Sequence, residues 1–179
     1  HTNTAFKYLS KTQFLQKKHY NYNVQFIRTL VLLEKFKEAF KFSKNIWNEN
    51  EIFLEVDLLL GLNYLLNKEY SKAEKYFERL NKISPNNLFL NDFLGNFLLS
   101  WTEAEKKNKI NSFKFLNKIP GRYNNLKKIQ NSFLQCYFDT PETQASFEKL
   151  VKNEEFKFSR YNFFLINYFL NKNQKLEAK

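Results

Sequence analysis

Between Leu54 and Asn87 the chain places Leu60, Gly61, Tyr64, Ala73, Phe77 and Pro85 at intervals that suit two helices folded back on each other through a short turn. Each residue has a physical task in such a unit. Gly61 has no Cβ, so the two helices can approach closely there. Ala73 allows the same approach from the second helix and keeps full helix propensity. Leu60, Tyr64 and Phe77 fill the space that the small residues open. Pro85 stops the second helix, because it lacks an N–H and restricts the residue before it. All six read as packing residues rather than ligand contacts. The unit is 34 residues long and it recurs: Ala5, Ala39 and Ala73 are spaced by 34, as are Phe36 and Tyr70, and Leu60-Gly61 returns as Leu94-Gly95.

Composition agrees with helices joined by short loops. Of 179 residues only 3 are Gly and 3 are Pro, too few for an all-β fold with many turns. The 21 Phe and 10 Tyr supply ample apolar side chain for a core, which argues against disorder. No apolar run reaches the ~18 residues of a membrane span. No apolar signal core stands at the start, and a cytoplasmic location is expected. Cys136 is the single cysteine, which excludes an internal disulfide and a cysteine zinc cluster, and it reads as a helix residue facing other apolar groups, with a reactive thiol as the lesser reading.

Taken in order, Thr4–Lys18 reads as a helix with Phe6 and Leu9 on one side, and Ala5 as the close-packing residue of a second helix. Tyr20–Glu34 and Phe36–Asn48 form the next pair, with Ile27 where Gly61 stands one unit later. The helix Glu51–Asn67 is apolar nearly all round, as a helix buried between neighbours would be. Asn87–Trp101 opens a third pair. Leu80-Asn81-Lys82-Ile83 then recurs as Leu116-Asn117-Lys118-Ile119 at an offset of 36, so two extra residues fall between Gly95 and Phe113, with the polar stretch Glu105–Asn111 as their place. Arg122–Phe138 is a first helix. Thr140 reads as the N-cap of a following short helix, with Pro141 at its first position. Phe156–Asn171 is strongly aromatic, and Asn173–Lys179 begins a last helix. Ala178 lies 105 residues after Ala73, so the chain is expected to begin and end in mid-unit.

These residues and spacings resemble the tetratricopeptide repeat. Six marker positions of the Leu54–Asn87 unit agree in register, while Asp57 stands where the pattern prefers Trp and Leu80 where it prefers Ala. Within that class, Phe26–Phe40 (FIRTLVLLEKFKEAF) and Tyr161–Ala178 resemble segments of tetratricopeptide proteins from alphaproteobacteria. The resemblance implies an all-α fold, a right-handed α-solenoid in one superhelical domain. Residues 1–19 would be the second helix of a partial repeat, 20–53, 54–87, 88–121 and 122–153 full repeats, and 154–179 another partial one. It brings no reaction with it.

The function so implied is an interaction scaffold whose concave groove, lined by first helices, takes a peptide or a partner helix. On the central helix the groove line is Glu55, Leu58, Leu62 and Leu65. The equivalents 34 residues earlier are Asn21, Val24, Arg28 and Val31, and those 34 later are Phe89, Asp92, Asn96 and Leu99. Arg28, Asp92 and Asn96 are the polar members of a mostly apolar surface and the foremost contact candidates; Glu55, Leu58, Leu62 and Phe89 complete the expected site. Repeats that clamp the acidic tails of heat-shock chaperones use Lys and Asn on successive turns, where this chain has Leu58 and Leu62 or Val24 and Arg28. That clamp is not reproduced.

The net charge of +11 admits nucleic acid, an acidic membrane or an acidic protein as partner. Single-stranded RNA is the alternative to a protein partner, with lysines for phosphates and tyrosines for stacking. The lysines are scattered among glutamates, however, which is the pattern of a solvated face. No catalytic constellation, metal-ligand spacing or phosphate loop is present, so no enzyme activity, metal or cofactor is expected. Apolar faces left open at the ends of a repeat array predict an end-to-end homodimer.

Overall fold

In a computed structural model, residues 1–16, 19–82, 92–152 and 159–174 are described, and among them every regular element is a helix. These described residues hold ten α-helices: α1 (Thr2–Lys11), α2 (Tyr20–Leu32), α3 (Phe36–Ile46), α4 (Leu54–Leu66), α5 (Tyr70–Leu80), α6 (Leu94–Glu105), α7 (Lys109–Lys118), α8 (Asn124–Tyr137), α9 (Thr143–Val151) and α10 (Asn162–Asn171). Short 3-10 turns occupy Gln13–Leu15, Gly121–Tyr123 and Ser159–Tyr161. The chain forms two compact units, His1–Thr102 and Glu103–Lys179, and the boundary falls within α6. Pro85, Phe89 and Ala178 lie outside the described residues.

The turns carry a repeat that the residue markers did not reveal. Glu34, Lys68, Lys107, Asp139 and Asn173 all have positive φ, between 48 and 60°, and each stands two residues beyond the end of α2, α4, α6, α8 or α10. At each, the following N–H reaches back to a carbonyl in the last helical turn: Lys35 to Leu30, Glu69 to Tyr64, Asn108 to Glu103, Thr140 to Gln135 and Gln174 to Phe169, at 2.9–3.0 Å. A second bond, spanning fewer residues, runs from the left-handed residue itself, as from Glu34 to Val31 and from Lys68 to Leu65. This is the Schellman ending of a helix, which satisfies carbonyls the helix leaves open. The left-handed residues are spaced by 34, 39, 32 and 34. The register change therefore lies between Lys68 and Asp139. Lys107 falls inside the polar stretch Glu105–Asn111 where the sequence places the insertion, and α6 runs up to that turn.

In the first unit, α1 packs on α2, α2 on α3 and α4, α3 on α4, and α4 on α5. The α4–α5 pair is antiparallel: Asp57 meets Arg79, Gly61 meets Phe77 and Tyr64 meets Tyr76. A Cβ on Gly61 would stand 2.4 Å from Phe77 Cε1, so the phenyl ring occupies the space that glycine leaves. Ala39 and Ala73 are fully buried, five residues after their turns. The core runs through Tyr22, Phe26, Ile27, Leu30, Phe42, Val56 and Leu60. Phe26 and Phe42 meet edge to face at 4.8 Å.

Three local expectations change. Ala5 is exposed, because α1 contacts its neighbours through Phe6 and Leu9 instead. The expected helix to Lys18 ends at Lys11, and the 3-10 turn Gln13–Leu15 follows it. Thr140 is not a cap: α9 begins at Thr143 with Glu142 before it, and Thr140 belongs to the Schellman turn.

In the second unit, α7 packs on α8, α8 on α9 and α9 on α10. Ile129, Phe147 and Leu150 form its buried cluster, with Phe133, Cys136, Tyr161 and Leu165 against it. Phe133 meets Phe147 and Phe164 edge to face, at 5.6 and 4.9 Å. No helix among the described residues is long and apolar enough to cross a membrane.

Candidate functional site

Because α2 and α4 each repeat apolar residues at i and i+4, they bring two parallel rows to one side of the first unit. From α2 come Ile27, Arg28, Val31 and Leu32; from α4 come Glu55, Leu58, Leu59 and Leu62. Together they line a groove of about 420 Å³. Ile27 is buried and forms its floor, whereas Leu32 is 72% exposed. Leu66, one turn beyond Leu62 on α4, is 80% exposed. Leu58, Leu59 and Leu62 are half-buried, and leucine area left open to water costs free energy in proportion to that area unless something covers it.

The polar end of the groove is one ion pair. Arg28 Nη2 donates to Glu55 Oε1 at 2.8 Å. The two partners differ in exposure: the Arg28 side chain is 58% exposed and that of Glu55 only 15%. Glu55 Oε2 is buried and has no hydrogen-bond partner among the described residues. Beside them the Tyr20 ring lies 4.7 Å from Phe53. Burial pushes the Tyr20 phenol above its ordinary range, the Glu55 charge adds to this, and Arg28 opposes it. Tyr20, Arg28 and Glu55 therefore share one electrostatic environment.

Of the residues expected from sequence, Arg28, Glu55, Leu58 and Leu62 come together here. Ile27, Leu32 and Leu59 join them; each stands one step in sequence or one helical turn from an expected residue. Asp92 and Asn96 do not line the groove. Asn96 is buried, its amide donates to the Asp92 carbonyl at 2.7 Å, and its oxygen faces the Asn81 amide at 3.4 Å. Asp92 is half-buried with φ of 58°. The 34-residue step misplaces both because α6 stands in a different register to its turn: Gly61 precedes Lys68 by 7 residues, and Gly95 precedes Lys107 by 12. Val24 and Leu99 are likewise core residues.

The sequence reading missed a second polar constellation. Asp57, fully buried on α4, accepts from Arg79 Nε at 2.8 Å and from the Trp47 indole at 3.0 Å. Its other oxygen accepts the Phe53 backbone N–H at 3.2 Å. Arg79 also donates to the carbonyls of Asn48 at 2.9 Å, Glu49 at 2.5 Å and Glu51. One guanidinium thus ties the α3–α4 loop to α5. The available signal was a lone Asp in a helix otherwise full of leucine, where the repeat pattern prefers Trp.

Where the end of α3 meets the α4–α5 hairpin, rings and cations alternate. Tyr64 and Tyr76 stack at 5.5 Å, Trp47 meets Tyr76 edge-on at 5.7 Å, and Lys44, Lys72, Lys75 and Arg79 lie 5.1–5.7 Å over Tyr64 or Trp47. Lys72 pairs with Glu69 and Lys75 with Glu49, at 2.5 and 3.0 Å. Among the described residues no group of three His, Cys, Asp or Glu is placed to hold a metal ion. No protein-family model, curated protein or solved structure matches the chain.

Proposed function

We propose that this chain is a non-catalytic interaction scaffold. Its helical hairpins are of the tetratricopeptide type, stacked as a right-handed solenoid, and the α2–α4 groove receives a protein partner. Support for the hairpin type comes from the recurring Schellman turns and from the Gly61–Phe77 approach. The observation that carries the function is the groove itself: over a floor of Ile27, two first-helix rows present leucine and valine to water around one ion pair. Such a surface gains most from covering apolar area and is oriented by a few polar contacts.

RNA binding draws less support. The ring-and-cation surface of Trp47, Tyr64 and Tyr76, on α4, α5 and the end of α3, is the natural place for it. There, however, two of the four cations are paired to exposed carboxylates and Arg79 to buried Asp57, and Tyr64 and Tyr76 stack on each other rather than offering open faces. Bases need open ring faces and phosphates need unpaired cations.

The test is capture from lysate by wild type and by two separate variants, Leu62→Glu and Arg28→Glu, each with and without nuclease. A protein that survives nuclease and is lost with both variants is the expected result. Capture of RNA that is indifferent to both variants would transfer the function to the other surface.

A further inference from the structure

We infer that the occupant of the α2–α4 groove is an acidic amphipathic helix, seated by its apolar face with a carboxylate on Arg28. This rests on the groove reading above and goes further, to the secondary structure and charge of the partner.

The first argument concerns backbone. An extended peptide bound in a groove leaves its N–H and C=O groups to be satisfied by the receptor, usually through main-chain or amide partners. Here the lining side chains apart from Arg28 and Glu55 are Ile27, Val31, Leu32, Leu58, Leu59 and Leu62, and none of them carries a donor or an acceptor. A strand laid on that surface would lose water from its backbone with nothing in return. A helix satisfies its own backbone and presents only side chains. Its rows at i and i+4 also match the rows along α2 and α4, so ridges can enter grooves.

The second argument concerns charge. Within the Arg28–Glu55 pair, the carboxylate is the sheltered member and the guanidinium the exposed one. A guanidinium has five N–H donors, and Glu55 takes one of them. The exposed remainder is shaped to receive a second carboxylate in a forked pair. Glu55 cannot serve a cationic partner in the same way, since its other oxygen is buried. The net charge of +11 acts in the same direction at long range, drawing an acidic segment in and repelling a basic one.

The experiment uses three capped amphipathic peptides of about 14 residues, long enough to hold some helix in isolation. All carry leucine at i, i+3, i+4 and i+7, and they differ only in bearing Glu, Gln or Lys on the flank. A fourth is the Glu peptide with a central proline. Fluorescence anisotropy measures each against wild type, Arg28→Gln, Glu55→Gln and Leu62→Glu, with folding of every variant checked by circular dichroism. Lys37→Gln and Glu78→Gln serve as controls that change net charge by the same amounts away from the groove. The Glu peptide is expected to bind wild type about fivefold more tightly than the Gln peptide, the scale of one partly exposed ion pair. That advantage falls in Arg28→Gln, grows in Glu55→Gln and stays in both controls, and the proline peptide binds at least about tenfold more weakly, since a central proline breaks the helix. If all the peptides bind alike and Leu62→Glu abolishes binding, the groove reading stands and this inference falls. The inference also falls if the controls shift the preference as much as Arg28→Gln does. If no peptide binds wild type, or Leu62→Glu leaves binding unchanged, the groove reading falls with it.

Discussion

The α4–α5 and α8–α9 hairpins are the same motif built by two methods. Both join their helices through a Schellman turn, at Lys68 in one and Asp139 in the other. Between α4 and α5 the interior is made tight by a missing side chain, Gly61 under Phe77, and is crossed by the buried Asp57–Arg79 pair. Between α8 and α9 the interior is filled by rings around Phe133 and Phe147, and its buried polar groups are hydroxyls bonded to nearby carbonyls, such as Thr143 to Thr140 at 2.8 Å. The first solution depends on a few irreplaceable residues. The second spreads the same task over many interchangeable ones. The two hairpins should therefore respond to substitution very differently.

The largest effect is expected at Asp57. Asp57→Asn leaves Arg79 buried without its counter-ion, and breaking one side of a buried pair costs about 3–5 kcal/mol. Urea unfolding followed by circular dichroism reads this directly. Thr143→Val in the other hairpin removes one neutral hydrogen bond and should cost only about 0.5–1.5 kcal/mol. Equal losses at the two positions would erase the contrast between the hairpins.

Gly61→Ala comes next. The new methyl would meet Phe77 Cε1 at 2.4 Å and Cδ1 at 2.8 Å, and Phe77 is fully buried, so the ring cannot swing into water. Overpacking of this kind costs about 1–3 kcal/mol, partly offset by about 1 kcal/mol of regained helix propensity. Phe77→Leu in the Gly61→Ala background should recover part of the loss. A double variant no more stable than Gly61→Ala alone would show that the ring is not what glycine accommodates.

The turns supply a smaller and opposite effect. A left-handed φ costs an ordinary side chain about 1–2 kcal/mol, and glycine nothing. Lys68→Gly should therefore stabilise the α4–α5 hairpin by about 0.5–1 kcal/mol, although glycine substitutions normally destabilise. Asp139→Gly should gain less, because Asp tolerates this conformation and its exposed carboxylate pairs with Lys172. Thermal midpoints of the two variants rank them, and a larger gain at Asp139 would reverse the assignment of strain.

These turns also show what the sequence could and could not disclose. Helices, their order and the hairpin geometry of Leu54–Leu80 were legible, because Gly61, Ala73 and Phe77 are constrained by sterics that depend on residue type. The groove was legible in part for a related reason: Arg28, Glu55, Leu58 and Leu62 sit on helices whose register the markers define. The five left-handed positions were hidden because Glu, Lys, Lys, Asp and Asn share no pattern, and backbone hydrogen bonds hold the turn whatever the side chain. Ala5 misled because alanine is as much at home on an exposed helix face as in a close contact. Asn96 misled because a 34-residue step was carried past Lys68, where the spacing changes to 39. Asp57 was hidden because its partner is 22 residues away, across a turn.

The smallest effect expected is chemical, and it reports on the looser hairpin. Cys136 on α8 is half-buried against the Ile129–Phe147–Leu150 cluster. Burial pushes its thiol above the ordinary range, Asp139 adds to this through its charge, and Lys172 acts in the opposite direction. Only the thiolate is nucleophilic, so iodoacetamide at mildly alkaline pH should alkylate Cys136 more slowly than an unfolded control, and the pH–rate curve should be displaced upward. The sign for stability follows. A thiol whose folded pKa is raised contributes stability that is complete below its unfolded pKa and is lost as pH climbs through the folded one. Asp139→Asn removes the opposing charge, leaves Lys172 in place and keeps a side chain that accepts a left-handed φ. Its pH–rate curve should move back toward lower pH by a fraction of a unit, with burial still holding it above the free thiol. A curve that coincides with the unfolded control would mean that the ring-filled hairpin opens on the timescale of alkylation, and that spreading the packing over many residues gives a softer interior than the glycine-fitted one.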